Sequence, residues 1–277
     1  MKQLDNLPDV LLPYKDKILA TVKPVINITL KPANDLPLWA SKVGGKPYLP
    51  KDFKYPTDNK GNPLSLLAQF NMADLPNNDK LPKTGILSFF ISGFDDQFGC
   101  DVDDGFNKNG FRVLYFDKVI TNTDELWQDF SEIDAKILNY KEHWLPFYGH
   151  REFMVNFELT YKEINHKHFD FENILFDGRL FWEDVLDDSE ELWCEIVERE
   201  EFFTAYGHHL LGYADFINDD PRAYNDKLKE FILLFQLDSQ SKYDICWGDC
   251  GLANFLIHPD DLKNLDFSKV YYDWGCS

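Results

Sequence analysis

Two cysteines four residues apart are the first candidates for chemistry in this sequence. Cys246 and Cys250 enclose a Trp-Gly-Asp turn in the segment CWGDCGLANFLI. Thiolates at this spacing could bind a metal ion or form a redox pair, but a structural zinc site needs four ligands. His258 and Cys276 are the nearby candidates for the other two, and no second Cys or His pair stands at zinc-finger spacing. We therefore predict buried or half-buried structural thiols, and no metal or other cofactor.

Acid–base chemistry would need a histidine beside a carboxylate, and the segment HHLLGYADFINDDP contains both. Adjacent histidines on a strand point to opposite faces, so His208 and His209 would rarely share one metal ion. A single histidine with Asp215, Asp219 or Asp220 could form a metal site or an acid–base site. The alternative is a histidine at a loop edge with surface carboxylates nearby, and the sequence favours this alternative.

An acidic loop, DDQFGCDVDDGFNKNG, raises the question of calcium. An EF-hand loop needs oxygen ligands at positions 1, 3 and 5, with glycine at position 6. In the register that begins at Asp101, Gly105 falls at position 5 and Phe106 at position 6. In the register that begins at Asp103, Gly105 falls at position 3 and Lys108 at position 6. Both registers fail, and the sequence favours a flexible polar loop over a weak, irregular cation site.

The standard catalytic signatures are missing from the sequence. It contains no Gly-x-Gly-x-x-Gly, no Walker loop, no Gly-x-Ser-x-Gly and no His-Glu-x-x-His. Each of these motifs places particular groups against a phosphate, an acyl group or a metal ion. Their absence lowers the expectation for the common enzyme classes and leaves an unusual enzyme open.

Composition restricts the class of protein and its partners. Of the 277 residues, 44% are hydrophobic and 16% aromatic, and 28 Lys and Arg against 48 Asp and Glu give a net charge of −20. Nucleic acid and anionic membranes are disfavoured as partners, because both require a basic face and no Lys/Arg cluster is present. The charge would attract a basic protein partner or cations, although acidity can also serve solubility alone.

Three further features suggest a cytoplasmic protein. No stretch approaches the roughly 20 apolar residues that span a bilayer. The first residues, MKQLDNLPDVLLPYKDK, lack the apolar core and the cleavage site of a secretory signal. The five cysteines are odd in number and irregular in spacing, which argues against a disulfide framework.

Hydrophobic spacing predicts the elements that must position the candidate groups. Residues 9–22 carry apolar side chains at helical spacing, and helical patterns recur over residues 124–148 and 180–203. VINITL and REFMVNFELTY alternate like strands with one buried face, and LSLLAQFNM, GILSFFIS and FRVLYFD are typical of more buried strands. The Gly-, Pro- and Lys-rich residues 42–63 predict a long loop.

The third helical region is strongly acidic. Residues 177–201 contain eleven Asp and Glu against Arg179 and Arg199. Asp188 followed by Glu191 predicts a capping box where two helices meet. A charge run of this kind on an amphipathic helix is usually its solvated face.

Regular spacings of glycine and glutamine predict an internal repeat. Gly45 precedes Gln69 by 24 residues, and Gly212 precedes Gln236 by the same distance. The glutamines lie in LLAQFNMAD and LLFQLDS, and 16 or 15 residues later a glycine opens GILSFFI or GLANFLI. Each copy ends in an aromatic strand, VLYFD or VYYDW. Three ordered elements with matching local sequence indicate a duplication.

The repeat and the helices together define the expected fold class. We predict an α+β fold of two related antiparallel β-rich units, near residues 43–120 and 207–277, within one compact domain. Residues 1–42 would supply an N-terminal helix and strand, and residues 121–206 would be an inserted or connecting region. Gln69 and Gln236 would occupy matching places, either as structural amides that bind nearby backbone or as a pair lining a cleft between the units.

Several segments in the same order resemble one known family. VGGKPYLP, PLSLLAQFNMADLP, LPKTGILSFF, HHLLGYADFI and WGDCGLANFLIHPDDL followed by DFSKV are similar to the YwqG family. The resemblance spans roughly residues 38–277. It implies a soluble bacterial protein of this family's fold, which is classed as a domain of unknown function. It implies no catalytic residue, because the family has no established activity.

Two functional hypotheses follow. We favour a non-enzymatic protein-binding protein, of immunity or regulatory type, that uses its acidic surface. The alternative is a hydrolase with His208 and either Asp249 or Asp215 in a cleft between the two units. Trp247 and Asp249 are added as candidates because the first copy of the repeat has no Trp-Gly-Asp turn. The candidate cleft or ligand-binding residues are Gln69, Gln236, His208, Asp215, Trp247 and Asp249.

Overall fold

Ten strands form one antiparallel sheet. The structure is a computed structural model, which describes residues 7–138, 143–147, 151–199 and 202–276. Across the sheet the strand order is β10, β9, β8, β7, β1, β6, β2, β3, β4, β5. In chain order the strands are β1 Lys23–Ala33, β2 Lys42–Gly44, β3 Ser65–Asn71, β4 Ile86–Ile91, β5 Phe111–Phe116, β6 Glu152–Lys162, β7 His208–Leu211, β8 Ile232–Asp238, β9 Leu252–Ile257 and β10 Tyr271–Gly275.

The two long strands β1 and β6 lie at the centre of the sheet. They pair along eleven residues each, with Ile28 opposite Phe157. β7 pairs with the other edge of β1, and β2 pairs with the other edge of β6. The region expected only to connect the units therefore contributes one of the two central strands.

Aromatic side chains from the two ends of the sheet meet in the main core. Phe70 of β3 and Phe235 of β8 have ring centroids 5.0 Å apart, and Phe89 of β4 and Phe255 of β9 have centroids 4.9 Å apart. The sheet must fold over on itself to bring these strands face to face. This explains why β4 and β9 are buried along their whole length and appear in the sequence as continuous apolar runs.

The helices are short. They are α1 Lys15–Thr21, α2 Ser131–Leu138, α3 Phe171–Phe176, α4 Glu190–Trp193 and α5 Pro259–Lys263, with π-helical turns at Phe181–Val185 and Cys194–Arg199 and 3-10 turns at Asp9–Tyr14, Met72–Asp74, Thr123–Glu125, Pro221–Ala223, Asp226–Leu228, Ser241–Tyr243 and Phe267–Lys269. The predicted helix over residues 9–22 is confirmed as a 3-10 turn that leads into α1. The helix predicted over 124–148 is much shorter, although 139–142 and 148–150 lie outside the described residues.

A helical layer has its own hydrophobic core, separate from the main core of the sheet. Residues 7–22, 164–199, 202 and 203 build it around buried rings that include Phe171, Phe176 and Phe181. Tyr213, just after β7, belongs to this core and donates its hydroxyl to the Thr21 carbonyl at 2.7 Å. This contact joins the layer to the end of β7.

The capping box predicted at Asp188 is wrong by one residue. Ser189 is the N-cap of α4, and its Oγ accepts a hydrogen bond from the Leu192 amide at 3.2 Å. Asp188 has a left-handed backbone, with φ of +54°, and belongs to the turn before the helix. A serine hydroxyl caps a helix as well as a carboxylate does, so the sequence offered two candidates one residue apart.

Candidate functional site

Gln69 is a fully buried amide whose polar atoms bind the backbone of the loop before β3. Its Oε1 accepts a hydrogen bond from the Tyr48 amide at 2.8 Å. Its Nε2 donates to the carbonyls of Leu38 and Ala40, at 2.6 and 2.8 Å. The Gln69 side chain therefore holds the backbone on both sides of β2. This is the structural role that the sequence offered as one of two alternatives.

Gln236 has the same set of contacts in the other half of the sheet. Its Oε1 accepts from the Asp215 amide at 2.8 Å, and its Nε2 donates to the carbonyls of Ala205 and Gly207, at 2.7 and 2.9 Å. The separations along the chain are also the same, since each amide bonds to residues 21, 31 and 29 positions before it. The predicted matching of the two glutamines is thus present in their geometry.

The backbone around the glutamines matches too. β3 and β8 each contain a bulge at the leucine two residues before the glutamine. Gly45 and Gly212 have φ of +72° and +75°, a region that glycine enters without steric cost. The residue three positions after each glutamine donates its amide to a glycine carbonyl. Met72 donates to Gly85 in the first half, and Ser239 donates to Gly251 in the second.

Side chains differ between the halves at three matched positions. Ser41 Oγ accepts from the Asn71 amide at 2.8 Å, and His208 Nδ1 accepts from the Asp238 amide at 3.0 Å. The next residue opposes the glutamine across the strand pair, and it is Lys42 in the first half and His209 in the second. The sequence interpretation missed Lys42, although the spacing that links the glutamines also aligns it with His209.

Lys42 forms a buried ion pair in the first half. Its Nζ lies 2.9 Å from Glu152 Oε1, and Glu152 Oε2 accepts from the Leu36 amide at 2.9 Å. Burial lowers the pKa of Lys42, and the hydrogen bond to Glu152 opposes that shift. A Cβ added to Gly45 would meet the Glu152 side chain, which shows how closely this carboxylate packs on the loop.

His209 and Val25 take the corresponding places in the second half. A Cβ added to Gly212 would meet the Val25 side chain, as one on Gly45 would meet Glu152. His209 Nε2 lies 3.1 Å from the Tyr213 carbonyl and Nδ1 3.3 Å from the Gly207 carbonyl. An apolar side chain and an imidazole thus stand where the first half has an ion pair.

A cavity of about 380 Å³ opens beside these residues. β1 and the segment before β7 line it, with the charged residues Lys162 and Glu163 at the end of β6 and with His208 and His209. Burial lowers the pKa of His208, and it lowers the pKa of His209 to about 4. Both rings are therefore neutral at pH 7, since an imidazole is charged only below its pKa.

The predicted partnership of histidine and carboxylate does not form around this cavity. His208 Nε2 lies 3.1 Å from Gln240 Oε1, and both ring nitrogens of His209 face carbonyls, so the neutral ring donates to just one of the two. Asp215 Oδ1 accepts from the Phe216 amide at 2.9 Å. Burial raises the pKa of Asp215 to about 6. The hydrogen bonds of both histidines are thus structural contacts.

Asp219 and Asp220 are also occupied by local partners. Asp219 Oδ2 accepts from the Tyr224 hydroxyl at 2.6 Å. Asp220 forms a buried ion pair with Arg222, at 2.7 Å, and accepts from the Phe169 amide at 3.1 Å. The carboxylates of the NDDP segment therefore stabilise the turn that follows them.

The turn that carries Trp247 and Asp249 lies between β8 and β9. Trp247 is fully buried against Phe98, with ring centroids 5.1 Å apart, and its indole N–H has no hydrogen-bond partner among the described residues. Asp249 is exposed. Cys246 and Cys250 are also exposed, so the prediction of buried or half-buried thiols is wrong for this pair.

The residues considered for zinc do not surround one point. Cys276 Sγ packs close to Gly248, but His258 caps α5 at the far end of β9 and bonds to Glu230 at 3.1 Å. Among the described residues, no group of three or more His, Cys, Asp or Glu side chains could hold a metal ion. In the acidic loop considered for calcium, Asp101 accepts hydrogen bonds from the backbone and from Asn107.

Comparison with models of protein families identifies the family of this chain. A family model described as "Domain of unknown function (DUF1963)" matches residues 41–276. The chain belongs to this family. No curated protein matches the chain. The DUF1963 match spans β2 to β10 and includes both glutamines, whereas Leu38 and Ala40 of the Gln69 network and the β1 wall of the cavity precede it.

In this DUF1963 protein, the helical layer presents a second candidate site. Leu180 is 48% exposed and Trp182 37% exposed, whereas Phe181 between them is buried. Nine acidic residues within 177–199 are exposed: Asp177, Glu183, Asp184, Asp187, Asp188, Glu190, Glu191, Glu195 and Glu198. We call residues 177–199 the acidic face. Trp182 lies in the π-helical turn Phe181–Val185, and Phe181 rather than Trp182 belongs to the core of the helical layer.

Contacts with neighbouring side chains hold the acidic face in place. Phe181 stacks on Phe176 with ring centroids 5.2 Å apart, and Trp182 packs edge-on against Trp193 at 5.7 Å. Asp184 Oδ2 accepts from the Leu180 amide at 2.8 Å. No helix among the described residues is long and apolar enough to cross a membrane.

Proposed function

We propose that this protein is a non-enzymatic protein-binding protein of the cytoplasm, of immunity or regulatory type, and that its acidic face binds a basic segment of a partner protein. The observation that carries the proposal is the exposure of Leu180 and Trp182 within a surface of nine carboxylates. Neither feature alone would indicate a binding surface. Their combination is typical of one, because apolar anchors provide affinity and the surrounding charge provides selectivity.

The apolar contribution comes from a preformed surface. Trp182 is held by Trp193, and Leu180 by the hydrogen bond of its amide to Asp184. Aromatic residues of this kind are enriched among binding hot spots. Because these contacts already hold both residues, this chain would lose little conformational entropy when a partner binds.

The electrostatic contribution is strongly one-sided. Within the acidic face only Arg179 and Arg199 oppose the nine carboxylates, and Arg179 lies over the ring of Tyr14. Asp177 is paired with Lys17 at 2.6 Å, but both are substantially exposed. Such a field attracts a basic segment and weakens as salt is added.

The hydrolase alternative finds less support around the cavity. It requires a histidine and a carboxylate within hydrogen-bond reach of each other and of a substrate. His208 instead bonds to Gln240 and to the Asp238 amide, and the Asp215 carboxylate bonds to the Phe216 amide. Of the two hypotheses, protein binding is therefore the one we propose.

A quantitative pull-down from native lysate tests the proposal. The bait carrying Leu180→Ala and Trp182→Ala, and a second bait carrying Glu190→Lys and Glu191→Lys, should each lose at least tenfold of a partner captured by the unmodified chain. Recovery should also fall as the salt concentration rises, since the partner contact is electrostatic in part.

Two control baits separate the acidic face from general effects. Tyr224→Ala removes an aromatic residue that is 74% exposed but lies outside the acidic face. Asp52→Lys with Asp79→Lys makes the same change in charge at exposed positions elsewhere. The proposal fails if these controls lose the same partner, or if every captured protein ignores both ionic strength and the changes at the acidic face.

We also propose that the two halves arose by internal duplication, with repeats near 43–120 and 207–277 in one compact domain. The matched networks of Gln69 and Gln236 support this, as do the matched bulges and glycines. The long strands β1 and β6 extend the correspondence to earlier residues, since each precedes one copy. The narrower assignment to a YwqG-like group within the DUF1963 family remains part of this proposal.

A further inference from the structure

The turn between β8 and β9 holds two exposed thiols close together. Cys246 Sγ and Cys250 Sγ lie 4.0 Å apart, and both side chains are exposed. We propose that Cys246 and Cys250 form a reversible intramolecular disulfide when the protein meets a small-molecule disulfide such as glutathione disulfide. This modification site is separate from the acidic face and does not depend on the proposed function.

The geometry requires only a local movement. A disulfide has an S–S length of about 2.05 Å and joins Cα atoms that are about 4.4 to 6.8 Å apart. The two sulfurs must approach by about 2 Å, which rotation of a side chain about χ1 can supply. No strand has to move, because the turn is closed by the hydrogen bond from the Gly251 amide to the Trp247 carbonyl at 2.7 Å.

Hydrogen bonds outside the thiols hold the turn in this shape. The Trp247 amide donates to Ser239 Oγ at 2.9 Å, and the Cys246 amide donates to the Pro146 carbonyl at 2.6 Å. The buried Trp247 ring anchors the turn to the core. The two sulfurs are thus kept near each other before any bond forms, which favours ring closure over reaction with a second external thiol.

Cys250 has an unusual backbone for its residue type. Its φ is +68°, a region that costs free energy for any residue with a Cβ. Glycine would be the ordinary residue there. A cysteine at this position places a second thiol beside Cys246, and Cys246 Sγ donates to the Gly248 carbonyl at 3.1 Å within the same turn.

The chemistry consists of two thiol–disulfide exchanges. The Cys246 thiolate attacks one sulfur of glutathione disulfide, the S–S bond breaks, and one glutathione thiolate leaves. The Cys250 thiolate then attacks the Cys246 sulfur of the mixed disulfide and expels the second glutathione. The two cysteines lose two electrons and two protons in all, and glutathione disulfide gains them as two glutathione thiols.

The two thiols influence each other's ionisation. The neighbouring Cys246 is the largest influence on Cys250 and raises its pKa, and the charge of Asp249 acts in the same direction. The exchange can therefore also begin at Cys250, with Cys246 as the second thiol, and the product is the same. Cys100 differs from this pair. Its thiol donates to the Tyr272 carbonyl, and burial strongly raises its pKa.

Mass spectrometry of the full chain tests the proposal. The protein is equilibrated at pH 7 with mixtures of glutathione and glutathione disulfide, quenched with acid and alkylated. The unmodified chain and the Cys276→Ser variant should each lose two alkylatable thiols and become lighter by two hydrogen atoms. Dithiothreitol should restore both thiols.

Matched variants make the outcome decisive. Cys246→Ser, Cys250→Ser and Cys250→Gly should form no internal disulfide and should carry a single glutathione on the remaining thiol. Cys250→Gly suits the left-handed backbone and therefore guards against misfolding. The proposal is overturned if the bond joins Cys276 instead, or if only glutathione adducts accumulate at every ratio in the unmodified chain.

Discussion

The two halves of the sheet share the hydrogen bonds around a buried glutamine, which we call the frame. They differ in the side chains that lie beside the glutamine. In each half a buried glutamine bonds to the backbone on both sides of a short strand, at the same three separations along the chain. The first half then buries the ion pair of Lys42 and Glu152. The second half places His209 and Val25 there and leaves a cavity beside them.

This difference separates what the halves share from what each half requires. The glutamines satisfy backbone groups that would otherwise be buried without partners, so replacing either glutamine is costly. The residues opposite them have different partners, since Lys42 pairs with Glu152 and His209 faces two carbonyls. Each of these two residues therefore suits the half in which it lies.

The largest expected effect is at the ion pair of the first half. Lys42→Met should destabilise the protein by about 3 to 5 kcal/mol, because it leaves the Glu152 charge buried without its cation. Lys42→Met with Glu152→Leu should recover most of that loss, because no unpaired charge remains. Urea unfolding measures both, and an equal loss in the single and the double variant would contradict the assigned pairing.

The glutamine networks should be somewhat less costly to break than the ion pair. Gln69→Leu and Gln236→Leu each leave one amide and two carbonyls without a partner, so each should lose about 3 kcal/mol of unfolding free energy. Gln128→Leu is the matched control, since this exposed glutamine bonds only to the Thr123 carbonyl. A cost below about 1 kcal/mol at either buried glutamine would break the equivalence of the halves.

Two buried groups of the second half should change the stability of the protein in opposite directions as the pH changes. The pKa of His209 is lowered to about 4, so its contribution to stability is lost as pH falls from about 6.5 towards 4. The pKa of Asp215 is raised to about 6, so its ionisation costs stability as pH rises from about 4 to 6 and above.

Asp215→Asn separates these two contributions. At pH 8 the variant should be more stable than the unmodified chain, by up to about 3 kcal/mol, because no buried charge forms. The gain should shrink towards pH 4, where the aspartate is protonated. Thermal unfolding across this range gives the comparison, with exposed Asp52→Asn as control. A gain that does not vary with pH would exclude ionisation of Asp215 as its cause.

The sequence predicted most of the strands and the matched glutamines better than the side chains beside those glutamines. The strands β3, β4, β8 and β9 could be predicted from their continuous apolar runs, and the matched glutamines from their fixed separation from a glycine. β2 could not, because it is three residues long and ends in glycine. The central pairing of β1 with β6 joins residues more than a hundred positions apart, which no local pattern reveals.

The side-chain partners were harder to predict for a physical reason. His208 and Asp215 looked like a catalytic pair because they are close in sequence, but each satisfies a buried amide instead. Trp182 is exposed because the helical layer buries the neighbouring ring of Phe181 instead. Both outcomes depend on tertiary contacts that composition and periodicity do not contain.

An exchange of side chains between the halves tests the equivalence most directly. His209→Lys alone should cost about 3 kcal/mol or more, because it buries an unpaired cation opposite Gln236. Adding Val25→Glu supplies the counterpart of Glu152, so the double variant should recover at least about 2 kcal/mol of that loss in urea unfolding. Strictly additive losses, with no coupling between the two substitutions, would contradict the claim that the halves share one frame.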